Sequence, residues 1–305
     1  MRNSVRAIFV VSVLVFVAAL VVSAAPRNPR ARTSSASAAD GPIAILSPSE
    51  PGFHAALSAH FSGIETVPDF ARIEPYLLLL HNGSAHAVLA YAIEWHLDLA
   101  NGSKKAISAV VISAPGTKLA LSGQKPIVGP HGWLVVSPFF YWSAAEFQSL
   151  IATKEAASQF QSALKDPQLA GFQGWPTVDP LLDGAVLSDG TFIGPDTLQL
   201  FERFQATQKA EFELGEWVLA QFSQPGGADE LDLNTIFRNQ IRAGRAPLFG
   251  PAPSFYIAAR GEEAARLHEC LHKKGMKALR QLAVRLTFSD PLPLRRAAAS
   301  AAKTP

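Results

Sequence analysis

The sequence predicts an α+β fold, with antiparallel sheets first and helices after. Three observations carry this. From Leu89 onward every second residue is bulky and apolar (Leu89, Tyr91, Ile93, Trp95, Leu97, Leu99), and Ala90, Ala92, Glu94, His96 and Asp98 lie between. Side chains alternate faces along a strand, so the segment predicts one face for a core and one for water. Turn dipeptides Asn82-Gly83, Asn101-Gly102 and Asp189-Gly190 separate apolar runs of strand length. After residue 195 the apolar residues recur at helical spacing between capping residues.

Residues 1–25 read as a secretory signal peptide or an N-terminal membrane anchor. Arg2 and Arg6 precede an unbroken apolar run over residues 7–22, and Val22-Ser23-Ala24 offers small residues for cleavage. Arg27, Arg30 and Arg32 follow at once and resist translocation. Residues 26–48, rich in Ala, Ser, Arg and Pro at their start, predict a disordered linker.

Residues 49–194 predict an immunoglobulin-like antiparallel β-sandwich with a short N-terminal helix and a helical insertion near 143–164. In the short helix Phe53, Leu57 and Phe61 share a face. Residues 76–80 and 89–99 predict a long hairpin across Asn82-Gly83. Strands are expected over 106–113, 118–121 and 132–137. Ser143 and Glu146 have the spacing of a capping box, which opens the inserted helix. Residues 181–194 predict a second hairpin turning at Asp189-Gly190.

Residues 195–288 predict a mostly α-helical region. Asp196 is the expected N-cap of its first helix, and Gly215 the expected place of a break or kink in it. A second helix over 229–243 has acids in its first turn and arginines in its last, the order the helix dipole favours. The last helix runs over 261–288 with an interruption at Gly275. Residues 289–305 predict a disordered tail.

Charge is unevenly spread. Residues 143–232 carry four Lys/Arg against fourteen Asp/Glu, whereas residues 238–305 carry thirteen against four. An acidic middle and a basic end either dock on each other or share a solvated surface; the functional alternative is a basic face for anionic lipid or polymer. The single cysteine, Cys270, excludes an intramolecular disulfide.

P-loop, dinucleotide-loop, nucleophile-elbow and Cys-x-x-Cys signatures are absent. One catalytic pattern is present: His268-Glu269-Cys270-Leu271-His272 reads H-E-x-x-H. On a helix, His268 and His272 share a face and can ligate one zinc, with Glu269 as general base on its water. Against this, Ala278 stands where the longer motif has its third histidine, and Asp290 is the only acid downstream. Leu267, Leu271, Leu279, Leu282 and Leu286 also form an apolar stripe that explains the helix structurally. Glu211, Glu213 and Glu216 fit a solvated helix face. The aromatic run at residues 139–142 fits an anchor for the following helix, with glycan stacking as the lesser alternative.

The function implied is an exported, non-catalytic binding or scaffolding protein of the cell envelope. It would be periplasmic or secreted, or held to the membrane by residues 7–22. The expected partner is an unknown envelope protein or polysaccharide, with no nucleic acid and no cofactor. The alternative is a zinc-dependent, peptidase-like hydrolase using His268, Glu269 and His272.

Overall fold

The computed structural model describes residues 42–98, 104–112, 126–137, 141–153, 155, 157, 158, 161, 177–224, 226, 227, 229–245, 253–288 and 290–297. Residues 1–41, the Asn101-Gly102 turn, the strand expected over 118–121, Phe139 and Phe140 lie outside them. No helix among the described residues is long and apolar enough to cross a membrane.

The fold is α+β. The first sheet contains β1 (Ile43–Leu46), β2 (Leu78–Asn82), β5 (Trp133–Val136) and β6 (Tyr141–Ser143), in the order β1-β2-β5-β6. The second contains β3 (Val88–Asp98), β4 (Lys104–Ile112), β7 (Thr177–Leu187), β8 (Thr191–Ile193) and β9 (Arg295–Arg296), in the order β4-β3-β7-β8-β9. All pairs are antiparallel except β8 with β9. One apolar core joins the sheets, built from Leu78, Leu80, Leu134 and Val136 of the first and Tyr91, Ile93 and Trp95 of the second.

The hairpin expected between residues 76–80 and 89–99 does not form. Strands β2 and β3 belong to different sheets, so Asn82-Gly83 is a crossover. Asn82 is fully buried. Its amide donates to the His86 and Gly129 carbonyls at 2.7 and 2.8 Å, and its Oδ1 accepts from the Ser84 amide and hydroxyl. A side chain with both donors and both acceptor sites engaged ties the crossover to the β5 approach. Asn-Gly marks a turn in either case, and the local signal does not say which strands the turn joins.

The expected alternation along β3 is also altered. Val88 pairs with Leu187 and Ala90 with Val186, so Leu89 is an extra, bulged residue. It leaves the inter-sheet core and packs on the opposite face with Ala90, Ala92, Val186 and Phe192. That face is not open to water, because Leu200 and Phe204 of α4 (Leu200–Phe222) cover it. Small Ala90 and Ala92 leave room for the helix.

A second bulge, at Asp183 of β7, decides how α4 starts. Ala92 pairs with Gly184 and Ile93 with Leu182, leaving Asp183 unpaired in the ladder and buried. Its carboxylate accepts from Thr197 N (2.8 Å), Thr197 Oγ1 (2.5 Å) and Leu198 N (2.8 Å). Asp196, expected as N-cap, instead sits at φ 64° three residues before Gln199, the residue at the cap position. Its Oδ1 accepts from Phe201 N. The Asp189-Gly190 turn closes the β7–β8 hairpin as expected, with Gly190 at φ 84°.

Helices flank the sheets. On the outer face of the first sheet, α1 (Phe53–His60) buries Phe53 and Leu57 against Leu79 and Val135, and a short α2 (Phe70–Ile73) follows. The capping box opens α3 (Ala144–Thr153): Ser143 Oγ accepts from Glu146 N, and Glu146 Oε2 accepts from Ser143 N. At the other end, α4 continues past the sheet to pack with α5 (Glu230–Gly244) and α6 (Phe255–Leu286) around Leu214, Phe237, Leu267 and Leu279. Asp229 caps α5 by accepting from Leu231 N. Gly215 does not break α4; it lets Leu286 of α6 approach closely. Gly275, at φ 79°, does kink α6.

The tail is a further correction. Residues 290–297, within the stretch expected to be disordered, run back along the second sheet and add β9 in parallel to β8. Arg296 Nη2 lies 2.7 Å from Asp196 Oδ2, and Arg295 Nη2 lies 3.0 Å from Asp189 Oδ2. An Ala/Arg/Pro-rich composition reads as tail, but it carries no trace of the two aspartates about 100 positions upstream that hold it.

Candidate functional site

The H-E-x-x-H segment lies on the straight part of α6, before the kink. Leu267 and Leu271 point into the helical core, which sets His268 and His272 on the flank of that stripe. His268 is half-buried, its ring edge-on to Phe237 at 6.5 Å. Partial burial holds its pKa below the ordinary value, and the charges of Arg238 and His272 push the same way. The two histidines stand four residues apart on one helix, which puts them on neighbouring turns of the same face.

Glu269 is committed elsewhere. Lys273 Nζ lies 2.6 Å from its Oε1, and this bond holds the exposed carboxyl below the usual glutamate range. Cys270 is half-buried, and burial pushes its thiol up despite Lys274 and Arg266. A raised thiol is the opposite of an activated nucleophile. Among the described residues no group of three His, Cys, Asp or Glu side chains is placed to hold a metal ion, and Asp290 joins no such group.

The acids of α4 divide three ways. Glu216 is exposed, as a solvated face predicts. Glu213 accepts from Tyr256 and lies 3.3 Å from Arg260. Glu211 departs from the expectation: it is buried at the α4–α6 interface, where Arg266 lies 3.8 Å from it and 2.8 Å from Glu263. Burial pushes the Glu263 carboxyl up and opposes the Arg266 charge, which the two carboxylates more than restore. This is an internal ion cluster between helices. Glu263 and Arg266 are an i, i+3 pair on α6, but Glu211 lies 52 and 55 positions before them, so sequence spacing carries no sign of its place in the cluster.

The aromatic run splits across β6. Tyr141 packs toward the inter-sheet core, edge-on to Tyr91 at 6.2 Å. Trp142, 4% exposed, packs outward under α3 against Phe147 at 5.7 Å. Both rings pack against cores, as anchors do.

One surface feature was not legible from sequence. Trp133 of β5 stacks with His60 of α1 at 4.6 Å and with His81 of β2 at 4.3 Å, with interplanar angles of 17° and 19°. His81 and Trp133 are cross-strand partners. Burial, with His60 and His131 adding repulsion, holds the His81 pKa below its ordinary value. Imidazoles from the helix and from the sheet both stack on the indole, so the cluster links α1 to the first sheet.

No family model matches the chain, and neither the curated proteins nor the solved structures yield a match.

The remaining features stand on this geometry alone. Tyr91 Oη and Trp95 Nε1 are buried in the inter-sheet core without hydrogen-bond partners among the described residues. The described surface also has a shallow depression along the end of α6, lined by Arg280, Gln281, Val284 and Arg285. It begins about two turns beyond the H-E-x-x-H segment, past the Gly275 kink.

Proposed function

We propose that the protein is an exported, non-catalytic binding or scaffolding module of the cell envelope, its N-terminal segment serving as a signal peptide or as a membrane anchor. The observation that carries this is the commitment of its polar side chains to holding the fold. Asp183 starts α4, Asn82 ties the crossover, Glu146 caps α3, Glu211 and Glu263 share Arg266, and Glu269 is bound to Lys273. The N-terminal sequence, with basic residues before an apolar run, supports export.

The proposal extends to the fold family. Strands β1, β2 and β5 have the neighbour pattern A-B-E of an immunoglobulin-like sandwich, and β4, β3, β7 and β8 have the pattern C′-C-F-G. Trp95 on β3 occupies the place of the buried tryptophan on strand C in that fold. In this reading β6 and α3 are insertions between strands E and F. A sandwich of this kind hosts many functions, so the binding role rests on the site observations and not on the fold.

A reporter active only outside the cytoplasm, fused after Pro305, tests export. Activity is the expected result, and an inactive reporter made at full length overturns it. The second reading is a zinc hydrolase, favoured by the proximity of His268 and His272. Metal analysis of full-length protein purified without chelator separates the two. The binding module is expected to hold less than about 0.1 zinc per chain, with a melting temperature indifferent to EDTA. Stoichiometric zinc that is lost in His268→Ala and His272→Ala would favour the hydrolase.

A further inference from the structure

We infer that the end of α6 docks on an anionic lipid bilayer. Residues 270–289 contain Lys273, Lys274, Lys277, Arg280 and Arg285 and no Asp or Glu. Beyond the kink, Leu279, Ala283 and Leu286 face the helical core. Lys277, Arg280, Gln281 and Val284 are all exposed, at the i, i+3, i+4 and i+7 positions of one outward stripe. Phe288 extends that line past the helix end and is 61% exposed. Among the described residues Lys277, Arg280 and Arg285 have no carboxylate within ion-pair distance.

Two unlike features therefore share one face. Arg280 lies over the Phe222 ring at 5.9 Å but, like Lys277 and Arg285, has no carboxylate among the described residues to neutralise it. Such cations have a Coulomb attraction for anionic headgroups, and each near such a surface strengthens binding roughly fivefold. Val284 and Phe288 are two of the five large apolar side chains exposed among the described residues. Placed between and beyond the cations, they match the depth profile of a headgroup layer over acyl chains. A nucleic acid or soluble polyanion would use the cations and leave Phe288 in water. The bilayer uses both, which is why it is the occupant the surface fits.

The surface stands on its own geometry. The reading of residues 7–22 as an anchor adds only proximity, since stable membrane attachment takes two signals. The test uses the full chain with Phe288→Cys and Cys270→Ser, labelled at position 288 with an environment-sensitive dye. It is mixed with lipid nanodiscs carrying a quencher in the upper acyl chain, either zwitterionic or with about a third anionic lipid. Co-purification with zwitterionic discs reports the N-terminal segment. Quenching at position 288 reports docking of α6.

Quenching on anionic discs is expected to exceed that on zwitterionic discs at least fivefold. It should fall to the zwitterionic level in Lys277→Ser/Arg280→Ser or in high salt. Both substitutions are at exposed positions, and circular dichroism verifies the helices. Equal quenching on the two discs overturns the inference, as does quenching that survives the double substitution with the helices intact. Anion-dependent binding that leaves the dye unquenched also overturns it and points to a soluble polyanion. Failure to co-purify with zwitterionic discs counts against the anchor alone.

Discussion

At the residue scale, buried polar groups divide into those that are fully bonded and those that are not, and the two predict opposite outcomes. Asp183 accepts three hydrogen bonds at the start of α4. Asp183→Ala leaves two backbone N–H groups and a hydroxyl unpaired in a buried turn. Bonds to charged groups contribute about 1.5–3 kcal/mol each and are not additive, so a loss of about 3 kcal/mol in denaturant unfolding is expected. A loss below about 1 kcal/mol would mean that the turn forms without its clamp. Tyr91 is the converse. Its hydroxyl is buried and unpartnered, and burial raises its pKa well above the ordinary phenol value. Tyr91→Phe is expected to be neutral or to stabilise by about 1 kcal/mol, because the unmet desolvation cost disappears with the oxygen. Clear destabilisation in the same assay would reveal a polar partner for that oxygen. Neither role is legible in the sequence: an aspartate before a glycine reads as turn, and a tyrosine on an alternating strand reads as core.

At the element scale, contact between helices outweighs propensity. Gly244 of α5 and Gly261 of α6 face each other so closely that a Cβ on either would come within 2.6–2.7 Å of the other's Cα. Alanine would gain about 1 kcal/mol of helix propensity. Against that, backbone cannot yield as a flexible side chain does, and overpacking costs about 1–3 kcal/mol. Gly261→Ala is therefore expected to lower the thermal midpoint, and a raised midpoint would show that α5 and α6 separate without cost. The same helix carries a pH dependence. The pKa of His268 lies below its ordinary 6.5 because burial, Arg238 and His272 all disfavour the charged ring. The folded state thus prefers the neutral form. Its contribution to stability is present above pH 6.5 and is lost as pH falls from there through the folded pKa. An NMR titration is expected to place the His268 midpoint below 6.5, and His268→Gln should flatten the stability loss in that window. A midpoint at or above 6.5 would contradict the packing against Phe237.

At the scale of the whole molecule, the C-terminal strand links the two halves of the chain. Arg296 bonds Asp196, whose side chain is 3% exposed, and its guanidinium lies over Phe192 and Phe201 at 5.2 and 4.7 Å. Leu292 N donates to the buried Gln208 side chain at 2.7 Å. Ending the chain at Asp290 removes all of these and leaves a buried carboxylate without its cation. A destabilisation of about 3 kcal/mol is expected, larger than that of Arg296→Ala alone. Equal unfolding midpoints for the shortened and full-length chains would show that the strand is only an adornment. The charge imbalance along the chain is partly explained in the same way. Basic residues at 266, 295 and 296 answer acids at 211, 263, 189 and 196, whereas Lys277, Arg280 and Arg285 on α6 remain on the surface.

The sequence by itself determined the α+β class, strands near 89–99, 106–113 and 132–137 that the structure places at 88–98, 104–112 and 133–136, the β7–β8 hairpin with its Asp-Gly turn, the capping box at Ser143 and the break at Gly275. Each rests on a signal contained within a few residues: alternation, a turn dipeptide, a cap, a positive φ. Only the tertiary structure decided that β2 and β3 part into different sheets, that Leu89 turns away from the core, and that Asp183 rather than Asp196 organises the start of α4. It alone brought Glu211 to Arg266 and Arg296 to Asp196. The physical reason is common to these. A bulge shifts every later side chain by one face, and a buried charge chooses its partner by distance in space. Neither leaves a mark at fixed spacing along the chain. The H-E-x-x-H segment shows the reverse case: a spacing legible at once, whose glutamate the folded chain binds to Lys273.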